Sequence, residues 1–440
     1  MSIDFIILAA GKGTRMKSQT PKVLHEIAGK PIVEYIVDVF NEIKTSDEKI
    51  ITVVNNEIEY SNSISSAIKV IQKNQLGTAD AVLSALPYVT AEYVVISCGD
   101  MPLITKDHLS ELLNSNADAT IIAAVLPDDK LHMPYGRIIT DNDSKFSKIV
   151  EFKDSTEQER NSKLFNTGVY KIRTDTLKQY INKIQKNSLS GEFYLTDIFE
   201  ILQTHKYCIE IIKSNDYQVF HGINTMIDLS YAEQVMQDRL RNKFMLQGVK
   251  MNDPKTVCLS YDTEIESNVQ IEQNVILKEG VKIKNGAKIL AFSYLENCTI
   301  EESAEIGPFA RVRGNTVIGQ NSSIGNFVEV KGSVFGNNSK AKHLSYIGDT
   351  SIAENVNIGA GTITCNYDGF SKHKTRIESG AFVGSNTTII APNVIGKNAI
   401  IAAGSVITQD VPVDSLAIAR VTQSNIKDKA SEIRKRKKKD

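Results

Sequence analysis

Three groups of residues in this chain have types and spacings that could do chemistry. The first is Leu8-Ala9-Ala10-Gly11-Lys12-Gly13-Thr14-Arg15-Met16, followed by Pro21-Lys22. Small residues where a buried strand ends let backbone N–H groups approach a phosphate closely. Lys12, Arg15 and Lys22 can neutralise a triphosphate. The spacing is neither GxGxxG nor GxxxxGK[ST], so it indicates neither a dinucleotide fold nor a P-loop. The second group is Cys98-Gly99-Asp100-Met101-Pro102. Asp100 follows the apolar run 93–97, at the end of a strand where open α/β sheets collect ligands; a lone Asp there is equally an ordinary turn residue. The third group runs from 311 to 420: Arg311, Arg313 and Lys331, then His343 and Tyr346, then Asn357, Ala360, Asn366 and Tyr367. Two cationic side chains can hold a sugar phosphate. A histidine can take a proton from an ammonium nucleophile, yet a single histidine is more often structural.

Two kinds of scaffold must position these groups. From 1 to about 225, short apolar runs (5–10, 49–55, 93–97, 120–126, 168–172) alternate with amphipathic stretches such as 31–43, 78–86 and 105–114. This alternation predicts a mostly parallel sheet covered on both faces. Residues 226–246 read as one linking helix, capped by Asp228 or Ser230 and ended by Gly248. From about 260, aliphatic residues recur every sixth position: Ile265, Ile271, Leu277, Ile283 and Ile289, then Ile300 to Val330. After one-residue slips follow Phe335 to Ile347 and Ile352 to Ile358, and finally Ile377 to Ile407. The next residue is often small. Six-residue periodicity of this length is the hexapeptide signature of a parallel β-helix, three hexapeptides to a turn. The register breaks between 358 and 377, so Thr364–Lys374 is expected to project as a loop. The basic run Arg434–Lys439 reads as a solvated tail, with a phosphate-bearing ligand as the alternative.

Composition narrows the class. Of 440 residues, 41% are hydrophobic and 23% charged, which excludes a disordered chain, a collagen or a coiled-coil rod. The net charge of −1 supplies no field toward nucleic acid or anionic lipid. Five cysteines without a CxxC pair point to free thiols in a reducing compartment. The N-terminal apolar run is too short for a secretory signal, and no stretch approaches a membrane span. A cytoplasmic protein with no nucleic-acid partner and no membrane span is the expectation.

LAAGKGTRM followed by PKVLHEIAGKPIVEY resembles the sugar-nucleotidyltransferases, which join a nucleoside triphosphate to a sugar 1-phosphate. Including HLSYIGD and NIGAGTITCNYDG, the whole chain resembles the bifunctional bacterial enzymes that are both N-acetylglucosamine-1-phosphate uridylyltransferase and glucosamine-1-phosphate N-acetyltransferase, suppliers of cell-wall precursors. The resemblance implies a Rossmann-like α/β domain over 1–226, a linker helix over 227–248, and a left-handed parallel β-helix over 249–440. It implies that Leu8, Ala9, Ala10, Gly11, Lys22, Gln72, Gly77, Thr78, Gly136, Glu151, Asn166 and Asn224 bind UTP or the UDP-sugar. Arg15 and Lys22 would be catalytic, and Asp100 with Asn224 would hold Mg²⁺. In the repeat, it makes His343 the general base and assigns the amino-sugar phosphate to Arg313, Lys331, Tyr346, Asn357 and the less securely placed Lys372. Ala360, Asn366, Tyr367, Ser385, Ala403 and Arg420 would meet acetyl-CoA, with the Ala360 N–H on the oxyanion. A homotrimer is implied, with this site between subunits. Gly314 departs from the family, which usually has proline after the second arginine; glycine there is expected to loosen the placement of Arg313. The alternative is a monofunctional sugar-1-phosphate nucleotidyltransferase whose β-helix only oligomerises the chain. A scaffold protein that has lost catalysis is disfavoured because Arg15, Lys22 and Asp100 are present.

Overall fold

The computed structural model describes residues 1–55, 68–188 and 191–436. The chain forms two compact units, Met1–Gln237 and Asp238–Asp440.

Among the described residues the main sheet of the first unit has nine strands: β1 (Ile3–Leu8), β2 (Ile50–Val54), β3 (Ile68–Ile71), β4 (Tyr93–Cys98), β5 (Ala119–Val125), β6 (Arg137–Thr140), β7 (Phe146–Val150), β8 (Leu164–Arg173) and β9 (Ile209–Ser214). The sheet order is β9-β5-β8-β4-β1-β2-β3, with the β6/β7 hairpin joined through β8. β1 lies parallel to β2 and β4, while β8 runs antiparallel between β4 and β5. The central strands are buried along nearly their whole length, as apolar runs covered on both faces must be. β1 starts and stops two residues earlier than its apolar run, and Ala9 leaves the strand after donating to Val53 O at 2.8 Å. Periodicity did not reveal β3, β6, β7 or β9, because each is partly exposed and lacks a continuous apolar run. The helices used below are α1 (Ile32–Ile43), α2 (Thr78–Ala85), α3 (Lys106–Asn114), α4 (Asp197–Thr204) and α5 (Met226–Leu246). The cap of α5 is neither of the two expected. Thr225 caps it: Thr225 Oγ1 accepts from the Asp228 N–H at 3.2 Å, and Asp228 Oδ2 accepts from the Thr225 N–H at 2.8 Å. Asp228 is thus the third-position partner of a capping box.

The second unit is a three-sided parallel solenoid. Face I has ten strands, Lys250–Met251 to Leu416–Ala417; face II has eight, Ile276–Leu277 to Val406–Ile407; face III has eight, Glu264–Ile265 to Asn393–Ile395. The six-residue aliphatic positions point inward and are buried. Each stacks on its counterpart one coil on, as Ile289 on Ile306 and Ile306 on Ile324. The first aliphatic run extends one step beyond its expected end, to the buried Leu295. Where glycine follows the aliphatic residue it has a physical cause: a Cβ on Gly319 would lie 2.7 Å from Phe335 O of the next coil. The insert starts later than expected. Thr364 and Cys365 remain in a face II strand, Thr364 occupies a buried interior position, and Ile352 pairs with Ile377 across the loop. Part of the basic tail forms a helix, Lys429–Arg436, and Lys437–Lys439 lie outside the described residues. Among the described residues, no helix is long and apolar enough to cross a membrane.

Candidate active sites

A cleft of about 820 Å³ opens over the carboxyl ends of β1 and β4. Its walls gather Leu8 to Gly11 and Arg15 from the turn after β1, Lys22, Gln72 after β3, Gly77-Thr78 at the start of α2, Asp100 after β4, and Asn224. Two glycines shape it. Gly13 is left-handed (φ 60°), and a Cβ there would lie 2.6 Å from Lys22 Cβ, so glycine is what lets Lys22 pass into the cleft. Gly77 has φ 117°, and its Cβ would strike Phe193 O at 2.5 Å. Gln72 is buried and donates to Gly77 O (3.0 Å) and Asp80 Oδ2 (2.7 Å). Asp80, invisible to motif reading, thereby orients Gln72.

Lys22 is the centre of the cleft's electrostatics. Its Nζ lies 2.5 Å from Asp100 Oδ2 and 3.3 Å from Asn224 Oδ1, and Arg15 Nη2 donates to the same amide oxygen at 2.8 Å. The Ile223 N–H donates to Asp100 O at 2.9 Å, so the two turns are tied by backbone as well. A carboxylate and an amide oxygen facing one cationic centre are hard donors of the kind Mg²⁺ takes, with phosphate oxygens and water completing its shell. The residues present fit that ion, and the ammonium now stands where a cation is favoured.

Gly136, Glu151 and Asn166 form a separate wall, outside the cleft lining. The Asn166 N–H donates to Gly136 O at 2.9 Å, and a Cβ on Gly136 would sit 3.5 Å from Glu151 Oε2. Burial pushes the Glu151 carboxyl above its ordinary range, against the hydrogen bond from Thr196. Arg137, next to Gly136 in sequence, faces elsewhere. Its guanidinium is fully buried and donates to the carbonyls of Tyr135 (2.5 Å), Leu131 (2.7 Å) and Met133 (3.1 Å), bracing the turn before Gly136.

In the solenoid the predicted residues fall into columns. On face II, Arg313 stacks in register on Lys331, and Lys331 on Gly348. Arg313 donates through Nε (2.8 Å) and Nη2 (2.7 Å) to Glu329, which holds it in place although Gly314 beside it adopts φ 74°. The positive charges of Arg313 and then Lys372 hold the Lys331 ammonium below its ordinary range, so three cations meet here. Gly348, the rung without a side chain, is where a Cβ would touch Tyr346 OH (2.6 Å) and Asn366 Nδ2 (2.8 Å). Asn366 is buried and donates to Asp349 at 2.5 Å. Thr364 Oγ1 accepts from the Gly348 N–H at 2.8 Å.

At the corner after face I, His343 ends the strand Lys340–His343 and is exposed. Its Nδ1 meets Asn326 Oδ1 at 2.7 Å, one coil earlier and in register. An amide oxygen accepts only, so Nδ1–H is the donor, and in the neutral imidazole Nε2 is the nitrogen with the lone pair. The pairings Ala341–Ile358, Ile358–Val383 and Val383–Ile401 put His343, Ala360, Ser385 and Ala403 on successive rungs two residues further on, with Arg420 beyond them. The Ala360 N–H finds no acceptor among the described residues. Asn357 sits in face I, paired with Lys340 and Phe382. Tyr367 is not drawn to Asn366: it is exposed in the inserted loop and donates to Gly369 O at 2.6 Å.

Residues 5–163 match the MobA-like NTP transferase domain, and residues 297–332 and 374–409 match the bacterial transferase hexapeptide of six repeats. The chain is 42% identical to the bifunctional protein GlmU of Zymomonas mobilis subsp. mobilis, over 99% of this chain and 98% of that one. It is 40% identical to the bifunctional protein GlmU of Geobacillus sp., over 96% of both chains. It belongs to the GlmU family. As a GlmU-family protein it is a bifunctional enzyme, with a nucleotidyltransferase in its α/β unit and an acyltransferase in its left-handed β-helix. Motif reading missed four supports of these GlmU sites: Asp80, Asn326, Glu329 and Thr364. Only Thr364 left a trace, as the position six residues after Ile358 where no aliphatic residue stands.

Proposed function

We propose that the solenoid acetylates glucosamine 1-phosphate from acetyl-CoA and that the N-terminal unit joins the N-acetylglucosamine 1-phosphate so formed to UTP, releasing pyrophosphate. The observation that carries the second step is Lys22 Nζ between Asp100 Oδ2 and Asn224 Oδ1. In this reading a sugar-phosphate oxygen attacks the α-phosphorus and its bond to pyrophosphate breaks. Leu8 to Gly11 cradle the triphosphate, Arg15 and Lys22 screen its charge, and Gln72, Gly77 and Thr78 hold the base. Gly136, Glu151 and Asn166 hold the sugar. Asp100 and Asn224 would hold Mg²⁺, which neutralises charge that develops between the two polyanions.

For acetyl transfer, Arg313, Lys331 and Lys372 hold the phosphate, with Tyr346 and Asn357 on the sugar. His343 Nε2 takes a proton from the amine as its nitrogen attacks the thioester carbon, and the thiol of CoA leaves. Ala360, one rung away, donates its N–H to the oxyanion. Asn366, Tyr367, Ser385, Ala403 and Arg420 meet the acyl donor. Adjacent rungs are about 4.8 Å apart, which suits a base and an oxyanion donor acting on one tetrahedral centre.

The sites extend along the coil axis from Arg313 to Arg420, so we assign the working enzyme as a cytoplasmic homotrimer in which neighbouring solenoids complete each site. All five cysteines are free, in keeping with a reducing compartment. Incubation of the full chain with glucosamine 1-phosphate, acetyl-CoA, UTP and Mg²⁺ should yield UDP-N-acetylglucosamine, CoA and pyrophosphate by mass. Product formed only from sugar that is already acetylated would refute the bifunctional assignment. Mixing His343→Ala with Arg420→Ala subunits should restore acetyl transfer if the site is shared; no recovery in mixed trimers would place it within one chain.

A further inference from the structure

Three side chains of the first unit form a hydrogen-bonded chain that none of the steps above uses. The Tyr135 hydroxyl bonds to His221 Nδ1. His221 Nε2 lies 3.0 Å from Asp228 Oδ1. Asp228 Oδ2 accepts from the backbone N–H groups of Asn224 (3.0 Å) and Thr225 (2.8 Å). A carboxylate only accepts, so Nε2 of the neutral ring carries the proton toward Asp228 and Nδ1 accepts from the Tyr135 hydroxyl, whose pKa burial raises above its ordinary value. Each end belongs to a different part of the site. Tyr135 directly precedes Gly136, and its ring stacks on Phe165 at 4.4 Å. Phe165 directly precedes Asn166, whose N–H bonds to Gly136 O. At the other end, Asp228 fixes the turn that carries Asn224.

We propose that Tyr135, His221 and Asp228 are positioning residues for uridylyl transfer, setting the separation between the Asn224 turn and the Gly136–Asn166 wall. The proposal rests on the reading that Asn224 holds the metal and that this wall holds the sugar. A prop serving stability alone would change the melting temperature without changing both ligand constants together.

The test uses the full chain with Tyr135→Phe, which keeps the ring stack, His221→Leu, and the double variant. The readouts are KM for N-acetylglucosamine 1-phosphate, Mn²⁺ binding in the presence of UDP-N-acetylglucosamine by electron paramagnetic resonance, the melting temperature, and acetyl transfer. Each single variant should raise KM and weaken Mn²⁺ binding together by about 3- to 10-fold, the size of one part-buried hydrogen bond. The double variant should be no worse than His221→Leu, because both changes break one chain. Acetyl transfer should stay at wild type. Unchanged constants, movement of only one constant, or effects that multiply in the double variant would overturn the proposal. If His221→Leu does not fold, Tyr135→Phe decides alone. Asn224→Ala and Glu151→Gln serve as controls. If Asn224→Ala leaves Mn²⁺ binding intact or Glu151→Gln leaves KM intact, the underlying site reading fails; if both controls respond and the single variants do not, only the positioning role fails.

Discussion

The nucleotide cleft and the solenoid corner bring chemistry together by different geometries. In the α/β unit, Arg15, Lys22, Asp100 and Asn224 come from distant parts of the chain and meet by direct hydrogen bonds at the ends of strands. In the solenoid, His343, Ala360, Ser385 and Ala403 never need to converge, because each coil delivers one residue to the same corner. A convergent site concentrates charge on one centre and is exposed to the loss of a single ligand. A columnar site spreads recognition along an axis, so its residues should fail separately and by smaller steps.

The sharpest break in this comparison is Asp100→Ala. Uridylyl transfer should fall by about 10³-fold or more, because a bound metal supplies several kcal/mol of charge stabilisation. Acetyl transfer, assayed on the same sample, should stay at wild type, and parallel loss of both would contradict two independent sites. Next in size is His343→Ala, which should cost acetyl transfer about 10²–10⁴-fold and spare uridylyl transfer to pre-acetylated sugar. An unchanged kcat at neutral pH would make His343 structural.

Lys331→Met should act more gently, raising KM for glucosamine 1-phosphate about tenfold through loss of one charge-assisted bond. It also carries a pH signature. Arg313 and Lys372 lower the Lys331 pKa, so the wild-type KM should begin to climb with pH below the ordinary lysine range. A KM–pH profile of Lys331→Met that kept this limb would assign it to another group.

The smallest effect lies in the α/β unit. Burial pushes the Asp197 carboxyl up to about 6, whereas unfolded Asp titrates near about 4. Between these values the folded state binds more protons, so stability falls as pH rises from about 4 to about 6. Asp197→Asn should therefore stabilise the N-terminal unit at pH 7.5, on the order of 1 kcal/mol once its partial solvent exposure is allowed for. The gain should vanish near pH 4. Melting curves with no gain at pH 7.5 would remove this penalty from consideration.

The two regions also differed in what their residues disclosed. Nearly every coil of the solenoid places an aliphatic residue inside at six-residue spacing, often followed by a small one beside the next coil, so its registers and slips were readable almost to the residue. Its polar supports were not. Asn326 and Glu329 look like ordinary surface residues until stacking places them beside His343 and Arg313. In the α/β unit the fully buried strands announced themselves and the half-exposed edge strands did not. The glycine turn and Asp100 were legible as local motifs. The meeting of Lys22 with Asn224, 202 residues apart in sequence, and the tie from His221 to Tyr135, 86 residues apart, depend on tertiary approach, and no local pattern encodes them.

The corner column is also a ruler. With rungs about 4.8 Å apart, the three steps from His343 to Ala403 measure out roughly 14 Å, and the chain keeps that graduation because the hydrophobic interior forbids a coil to slide. On the reading given above, such a corner gauges an acyl donor by length before it senses any functional group. A donor clipped at the end remote from its thioester would lose its hold one graduation at a time, with its reactive carbon still seated beside the histidine.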